Sequence, residues 1–174
     1  MRSVFSLLLI LSLTQTGFAL DPEKMYHFRS GDEREWDRYS SKGDASQFLD
    51  TFDWLEDAES ATLRISQVDV KERWEIKING KKIARLIQDE NPMVVYYEFD
   101  SAILREKDNR LEVINTERNP KGSDDIVIGR MQVFATPLED LLGETRLRVN
   151  VTEQGTPTPA RITVLNEHGE LQTV

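Results

Sequence analysis

Residues 74–81 read Trp-Glu-Ile-Lys-Ile-Asn-Gly-Lys (WEIKINGK) and carry the clearest structural signal in the chain. Apolar and charged side chains alternate through Trp74, Ile76 and Ile78, which is typical of a strand with one buried face. The Asn-Gly pair that follows favours a type I′ turn, because both central residues of that turn need positive φ. The pattern predicts a hairpin with residues 83–87 as its return strand and with Trp74 in the core.

Short strands are also predicted on both sides of this hairpin. They fall at 25–28, 48–54, 63–65, 93–99, 111–113 and 126–134. Gly129 favours a bulge or a close approach of another backbone. Thr136-Pro137-Leu138-Glu139 is typical of a capped helix start, and predicts a short helix that ends at Gly143. Many short strands separated by polar turns indicate an all-β sandwich or barrel.

The N-terminus predicts export. Arg2 precedes a nearly unbroken apolar run at 4–13, and Gly17 and Ala19 place small residues before a cut after Ala19. The run is too short to cross the ~30 Å of hydrocarbon in a bilayer, so residues 1–19 are interpreted as a signal peptide and not as an anchor. The expected location is secreted or periplasmic, with no membrane association after cleavage.

The composition excludes several kinds of partner and chemistry. The formal net charge is −9, and Lys and Arg form no cluster. Nucleic acid and anionic lipid are therefore not expected as partners, because phosphate recognition needs grouped cations. The chain has no cysteine, which excludes disulfides and thiolate metal sites and fits a bacterial exported protein.

Residues 144–174 differ in character from the sandwich expected at 20–143. Strands are predicted at 146–152 and 160–165, and another begins at 171 after a His168-Gly169 turn. Two or three strands cannot bury a core of their own. The segment is therefore expected to be the incomplete start of a second β module.

Two of these stretches resemble a known kind of domain. WEIKINGK and the later Asp-Asn-Arg-Leu-Glu-Val at 108–113 are similar to the hairpin and strand entry of galactose-binding-like jelly rolls, which are accessory sandwiches of bacterial glycoside hydrolases. Lys107-Asp108 stands where those domains usually have glycine. The resemblance implies a jelly-roll sandwich at 20–143 and the option of a structural calcium. Asp124 and Asp125 are the candidate calcium donors, although they lack EF-hand spacing and are expected in a solvated loop.

A second resemblance covers more of the chain. The segments at 69–99, at 123–129 (SDDIVIG) and at 159–174 (PARITVLNEHGELQTV) are similar to the N-terminal region of exported bacterial metallohydrolases of the PHP class. In that class a sandwich precedes a carboxypeptidase-regulatory-like β module and a histidine-rich catalytic domain. The resemblance implies a downstream catalytic domain as a partner. It assigns no metal ligand to this chain, because the catalytic part has no counterpart in the sequence.

No catalytic residues can be assigned from the sequence. His27 and His168 are isolated and fall in different modules. Ser40 and Ser41 lie in a polar loop, and no nearby histidine is expected to activate them. The chain itself is therefore expected not to be an enzyme.

Two aromatic residues are candidates for binding a sugar. Trp36 lies in a charged loop, and Tyr96 lies on the face of its strand opposite Val95 and Phe99. Both are expected to be exposed enough to contact a ligand, although packing is the commoner role of such side chains.

Three functions remain open from the sequence. The first is an exported, non-catalytic accessory module that binds carbohydrate or positions a neighbouring domain. The second is an N-terminal fragment of an exported metal-dependent hydrolase whose catalytic domain is missing. The third is a purely structural surface module. No cofactor is expected beyond the calcium already mentioned.

Overall fold

The computed structural model describes residues 17–19, 21, 23–43, 45–118, 122–143 and 148–172. The predicted apolar part of the signal peptide lies outside the described residues. The strands are β1 (Gly17–Ala19), β2 (Met25–Arg29), β3 (Gln47–Phe52), β4 (Ser60–Val68), β5 (Trp74–Ile78), β6 (Lys81–Arg85), β7 (Met93–Asp100), β8 (Asn109–Asn115), β9 (Asp125–Phe134), β10 (Thr152–Glu153), β11 (Thr156–Pro157) and β12 (Leu171–Gln172). A helix, α1 (Leu138–Leu142), and a 3₁₀ turn at Ser101–Ile103 accompany them.

The strands form two main sheets. Sheet A has six strands in the order β1-β9-β4-β7-β12, and β2 pairs with β9 beyond the end of β1. Sheet B has four strands in the order β3-β8-β5-β6, while β10 and β11 form a separate hairpin. All of these pairs are antiparallel except that between β12 and β7. The predicted all-β class is confirmed.

A single apolar cluster lies between the two sheets. Trp74, Ile76 and Ile78 point into it from sheet B, and Leu63 and Ile65 point into it from sheet A. All five side chains are fully buried. The alternation in the sequence therefore identified the buried faces of β4 and β5 correctly, because side chains of a strand alternate between its two faces.

The predicted Asn79-Gly80 turn is confirmed, with φ of 52° and 78°. The predicted start of the return strand, residue 83, is wrong by two residues, because β6 begins at Lys81 directly after the turn. The register shifts between Ile76 and Lys77, which face Ala84 and Lys82. The extra residue in this bulge is therefore Ile83.

The predicted close approach at Gly129 is also confirmed. A Cβ atom at this position would lie 2.1 Å from the backbone oxygen of Lys24. The pairing of β4 with β9 shifts here, and the next residue, Arg130, has a φ of 45°. Glycine thus lets β9 bend against the start of β2.

The helix forms where it was predicted, but its cap differs from the prediction. Pro137 occupies the N-cap position and makes no side-chain capping bond. The carbonyl of Thr136 accepts a hydrogen bond from the Thr62 hydroxyl at 2.7 Å, so this part of the chain is tied to β4. Gly143 ends the helix with a right-handed φ of −73°.

The C-terminal segment departs furthest from the sequence expectation. No strand spans the predicted 160–165; within it, Leu165 alone forms a β-bridge, to Leu171. The predicted strand at 146–152 is represented among the described residues only by β10. β12 joins sheet A by pairing Leu171 with Met93 of β7, so it does not start a separate sheet. Residues 144–147 lie outside the described part, and the division of the chain at 143/144 stays a prediction.

Candidate functional site

The loop of residues 30–43 between β2 and β3, called here the charged loop, lies at one end of the two sheets. β2 ends there at Arg29, β9 begins there at Asp125, and β4 runs out there into Asp69. Several charged side chains are thereby brought together although they are far apart in the sequence. Two buried carboxylates, those of Asp69 and Asp125, bond residues of the charged loop. A third, that of Asp124, bonds residues 71–74 next to it.

Asp125 is the first of these carboxylates and is fully buried. Its Oδ1 accepts a hydrogen bond from Arg29 Nε at 2.7 Å and lies 2.6 Å from His27 Nε2. Its Oδ2 accepts the backbone N–H of Glu35 at 2.6 Å. Burial acts to raise the pKa of Asp125, but the hydrogen bonds from Glu35, Arg29 and His27 outweigh it and hold the pKa below its ordinary value.

Arg29 extends this contact to the far end of the charged loop. Its two terminal nitrogens donate to the backbone carbonyls of Ser40 and Ser41 at 2.8 and 3.0 Å. The guanidinium is itself buried. One side chain therefore joins Asp125 to the segment that leads into β3, using the planar set of donors that distinguishes arginine from lysine.

Asp69 is the second buried carboxylate and has a positive φ of 62°. It accepts hydrogen bonds from Arg38 and Lys71, and from the Tyr39 hydroxyl at 2.7 Å. Burial acts to raise its pKa, but these three donors together lower it. Burial and the bond to Asp69 raise the pKa of Tyr39. The end of β4 is therefore not a solvated turn, since Asp69 and Val70 are both about 1% exposed.

Asp124 is the third, and it connects the charged loop's base to sheet B. It accepts the Trp74 indole N–H at 2.8 Å and the Glu72 backbone N–H at 2.9 Å. Burial raises its pKa despite these bonds. Asp124 and Asp125 were expected in a solvated loop, and that expectation is wrong because neither is more than 1% exposed.

An open cleft with a volume of about 930 Å³, called here the acidic cleft, lies beside this network. It is lined by segments 31–35 and 122–124 together with Lys71, Glu72 and Glu117. Six of the lining residues are acidic and two, Arg34 and Lys71, are basic. Both cations form ion pairs, Arg34 with Asp37 and Lys71 with Glu35. The cleft is therefore polar and carries net negative charge.

The two residues predicted to bind sugar, Trp36 and Tyr96, lie far apart in the structure. Trp36 is 51% exposed on the charged loop, next to cleft-lining Glu35. Its carbonyl accepts the Tyr39 N–H at 3.0 Å, which closes a turn at the loop tip. Tyr96 lies in the middle of β7, opposite Arg64 of β4, and is half-buried. The two rings therefore belong to different parts of the molecule, and Trp36 is the one that is freely presented.

Ser40, His27 and Asp125 lie in a row that resembles a serine-hydrolase triad. Ser40 Oγ is 3.4 Å from His27 Nδ1, so the expectation that no histidine lies near Ser40 is wrong. However, the serine hydroxyl donates its proton to the Lys42 carbonyl, and Arg29 shares Asp125 Oδ1 with the histidine. A nucleophilic serine needs a short hydrogen bond to its base, which this geometry does not supply.

The candidate calcium donors are engaged in the protein's own hydrogen bonds. Asp124 accepts N–H groups of the segment 71–74, and Asp125 accepts those of Arg29 and Glu35. Within the described part of the chain, no group of three or more His, Asp or Glu side chains is placed to hold a metal ion. The donor set therefore does not fit a calcium ion, which prefers six to eight oxygen ligands.

The sequence did not indicate that Arg29, Asp69 and Asp125 bond the charged loop. Each contacts groups about 30 to 100 positions away, as in the 96-residue separation between Arg29 and Asp125. No local pattern in the sequence marks these three residues, because neighbouring side chains in an extended chain point to opposite faces and a buried neighbour does not imply burial.

No protein-family model matches this sequence, and no curated protein is significantly similar to it. Among the helices of the described residues, none is long and apolar enough to cross a lipid bilayer.

Proposed function

We propose that this chain is a non-catalytic accessory module, a jelly-roll sandwich of the galactose-binding-like kind, that binds neutral carbohydrate through the charged loop. The observation that carries the proposal is Trp36, which is half-exposed on a loop held by two buried carboxylates. An exposed indole ring on a loop of fixed conformation is suited to contact a ligand.

Burying charged groups removes them from water and is unfavourable unless they are paired. Here the buried carboxylates of Asp69 and Asp125 accept hydrogen bonds from three residues of the charged loop, namely Glu35, Arg38 and Tyr39. His27 adds to this by stacking on Tyr39, with ring centroids 4.9 Å apart. A loop whose shape is fixed before binding loses less conformational entropy when a ligand arrives.

The chemistry around Trp36 favours a sugar without acidic groups. The indole ring offers a flat apolar surface to the C–H face of a pyranose. The neighbouring acidic cleft offers carboxylates that accept hydrogen bonds from hydroxyl groups, as specific binding sites require. Its net negative charge disfavours uronic acids and sulfated glycans by like-charge repulsion.

The test is calorimetric titration of the intact chain with a panel of neutral oligosaccharides and with oligogalacturonate as the anionic counterpart. We expect heat from at least one neutral oligosaccharide, and loss of that binding in Trp36→Ala. Leu55→Ala is the matched control, because Leu55 is 73% exposed at the other end of the sandwich and should not alter binding. Binding that survives Trp36→Ala, or no binding across the panel, would contradict the proposal and leave the structural module as the better account.

A second function is favoured by the C-terminal segment. Five exposed large hydrophobic side chains lie within residues 148–165, outside the two main sheets. This supports the alternative that the chain is the N-terminal part of an exported PHP-class hydrolase, in which the segment opens a carboxypeptidase-regulatory-like module. Sequencing the reading frame downstream of codon 174 tests it, and a stop codon there would exclude it.

Export is part of the same proposal. Cleavage after Ala19 would remove β1, which pairs Gly17–Ala19 with residues 132–134 of β9. Intact-mass measurement of protein recovered from the periplasm or medium should show a chain that begins at Leu20. Cell-retained protein that begins at Met1 would contradict both the signal peptide and the secreted or periplasmic location.

A further inference from the structure

The turn between β5 and β6 contains a chemically reactive pair, Asn79-Gly80, and no other asparagine in the sequence is followed by glycine. In such a pair the glycine backbone nitrogen can attack the asparagine Cγ atom, because glycine has no Cβ to hinder the approach. Hydroxide takes the glycine N–H proton, the new N–Cγ bond closes a succinimide ring, and Nδ2 leaves as ammonia with a proton from water. Water then opens the ring at either carbonyl and gives aspartate or isoaspartate.

Solvent reaches this pair from the glycine side. Gly80 is exposed, and a Cβ atom added there would have no atom within 4 Å. Its φ of 78° belongs to the left-handed region that the turn requires. Burial therefore does not keep hydroxide from the reacting atoms, and protection must come from how the Asn79 side chain is held.

Hydrogen bonds hold the Asn79 amide on both sides. Its Nδ2 donates to the Ile103 carbonyl at 2.8 Å and to Asn109 Oδ1 at 2.9 Å. Its Oδ1 accepts the Arg110 N–H at 3.0 Å. Both amide hydrogens and one lone pair of the oxygen are thus engaged. Ring closure needs Cγ to turn onto the Gly80 nitrogen, and that rotation would break these bonds.

The partners of Asn79 are held as well. Asn109 is fully buried, and its side chain bonds the N–H and the carbonyl of Arg105 at 2.8 and 2.5 Å. The Asn79 backbone N–H donates to the Arg110 carbonyl at 2.9 Å. The turn, the 3₁₀ segment and the start of β8 therefore form one network, called here the amide corner: Asn79, Ile103, Arg105, Asn109 and Arg110.

We propose that Asn79 is a modification site whose deamidation is controlled by the fold: the closed amide corner suppresses the reaction, and local opening permits it. The product cannot rebuild the corner. Aspartate at position 79 has no N–H to donate, and its carboxylate would face the oxygens of Ile103 and Asn109. Isoaspartate adds a methylene to the backbone, which a two-residue turn does not accommodate. The extent of modification therefore records how long the corner has been open.

The first test compares deamidation of the full chain when folded and when unfolded in guanidinium chloride, in the same mildly alkaline buffer. Mass spectrometry of proteolytic peptides counts aspartate and isoaspartate at position 79. We expect the folded chain to react at least about tenfold more slowly, because only the open fraction of molecules reacts. Equal rates in the two states would overturn the proposal.

A second test removes one bond of the corner. Asn109→Ala deletes an acceptor of Asn79 and should speed deamidation of the folded chain about two- to tenfold, the range expected for one lost hydrogen bond. Asn115→Ala is the matched control, because Asn115 lies at the other end of β8 and donates to Glu72 at 2.7 Å. Acceleration by Asn109→Ala that is no greater than that by Asn115→Ala would overturn the proposal.

A third test copies the product and does not depend on whether Asn109→Ala folds. Asn79→Asp should raise the equilibrium constant for unfolding in urea about two- to tenfold, since the donated hydrogen bonds are lost and a carboxylate takes their place. An unchanged constant would show that the amide corner tolerates the product, and would overturn the claim that modification is a permanent record of opening.

Discussion

Trp74 combines two roles in one side chain. It is fully buried in the core, and its indole N–H satisfies the buried Asp124 carboxylate at 2.8 Å. Trp74→Ala would therefore open a large cavity and remove one hydrogen-bond donor from that carboxylate. We expect the free energy of unfolding in urea to fall by about 3–5 kcal/mol. Trp36→Ala serves as the control and should change it by less than about 0.5 kcal/mol, because that ring is half-exposed.

Gly129 is required by space and not by backbone conformation. An added Cβ would meet the Lys24 carbonyl oxygen at 2.1 Å and the Met25 Cα at 2.7 Å, both of which are backbone atoms. Gly129→Ala should lower the free energy of unfolding by about 1–3 kcal/mol, since the strands must separate to admit it. Gly122→Ala is the matched control, with no atom within 4 Å of the added carbon. Equal stability of the two variants would show that β2 moves aside freely.

At the level of the element, the charged loop should respond to acid in two separable steps. The pKa of Asp125 is lowered, so its stabilising contribution is present above its ordinary pKa of about 3.9 and is lost as pH falls through the lower folded value. Burial raises the pKa of Asp124, so its ionised form lowers the stability of the fold. As the pH falls, Asp124 is protonated before an ordinary aspartate would be, and this protonation adds stability. As the pH falls, Asp124 should therefore take up its proton above the ordinary pKa of an aspartate, and Asp125 should take up its proton below it.

Two backbone amides report on them separately. The Glu35 N–H bonds Asp125, and the Glu72 N–H bonds Asp124. In a nitrogen–proton NMR titration, the Glu72 amide shift should move at a higher pH than the Glu35 amide shift. Simultaneous movement of the two signals, or the reverse order, would contradict this assignment of burial and hydrogen bonding.

The hairpin could be predicted from sequence because its determinants are local. Asn79-Gly80 fixes the turn, and the alternation of Trp74, Ile76 and Ile78 fixes the buried face. The bulge at Ile83 could not be predicted, because it depends on how β6 meets β5 and not on either strand alone. The strand expected at 160–165 was wrong for a related reason, since a strand-forming sequence becomes a strand only where a partner supplies the ladder.

The candidate site was predictable only in part. Exposure of Trp36 follows from its highly charged neighbours, and the structure agrees. The network beneath it depends on contacts such as that of Arg29 with Asp125, which no local pattern specifies. Tyr96 could not be assigned from alternation alone, because both faces of β7 are partly covered.

For the whole molecule, the C-terminal segment is attached to the sandwich by few contacts. Residues 148–163 expose Val149, Val151 and Ile162, whereas Glu170 is buried and bonds Arg130 at 2.8 Å. The amides of Leu171 and Gln172 donate to Pro92 and Val164. Attachment therefore depends on a short hairpin and one buried ion pair, and the preceding segment contributes little apolar burial.

Amide hydrogen exchange should resolve three levels of protection. Amides of β4, β7 and β9 should exchange slowest, those of Leu171 and Gln172 at an intermediate rate, and those of residues 148–151 fastest. Glu170→Gln removes the charge that pairs with Arg130 and should release the hairpin. A loss of about 1.4 kcal/mol would speed exchange at Leu171 and Gln172 about tenfold, with β4 unchanged as the internal control. Uniform protection from residue 148 to residue 172 would instead make this segment an integral part of the sandwich, and would contradict the prediction of an incomplete module that begins at 144.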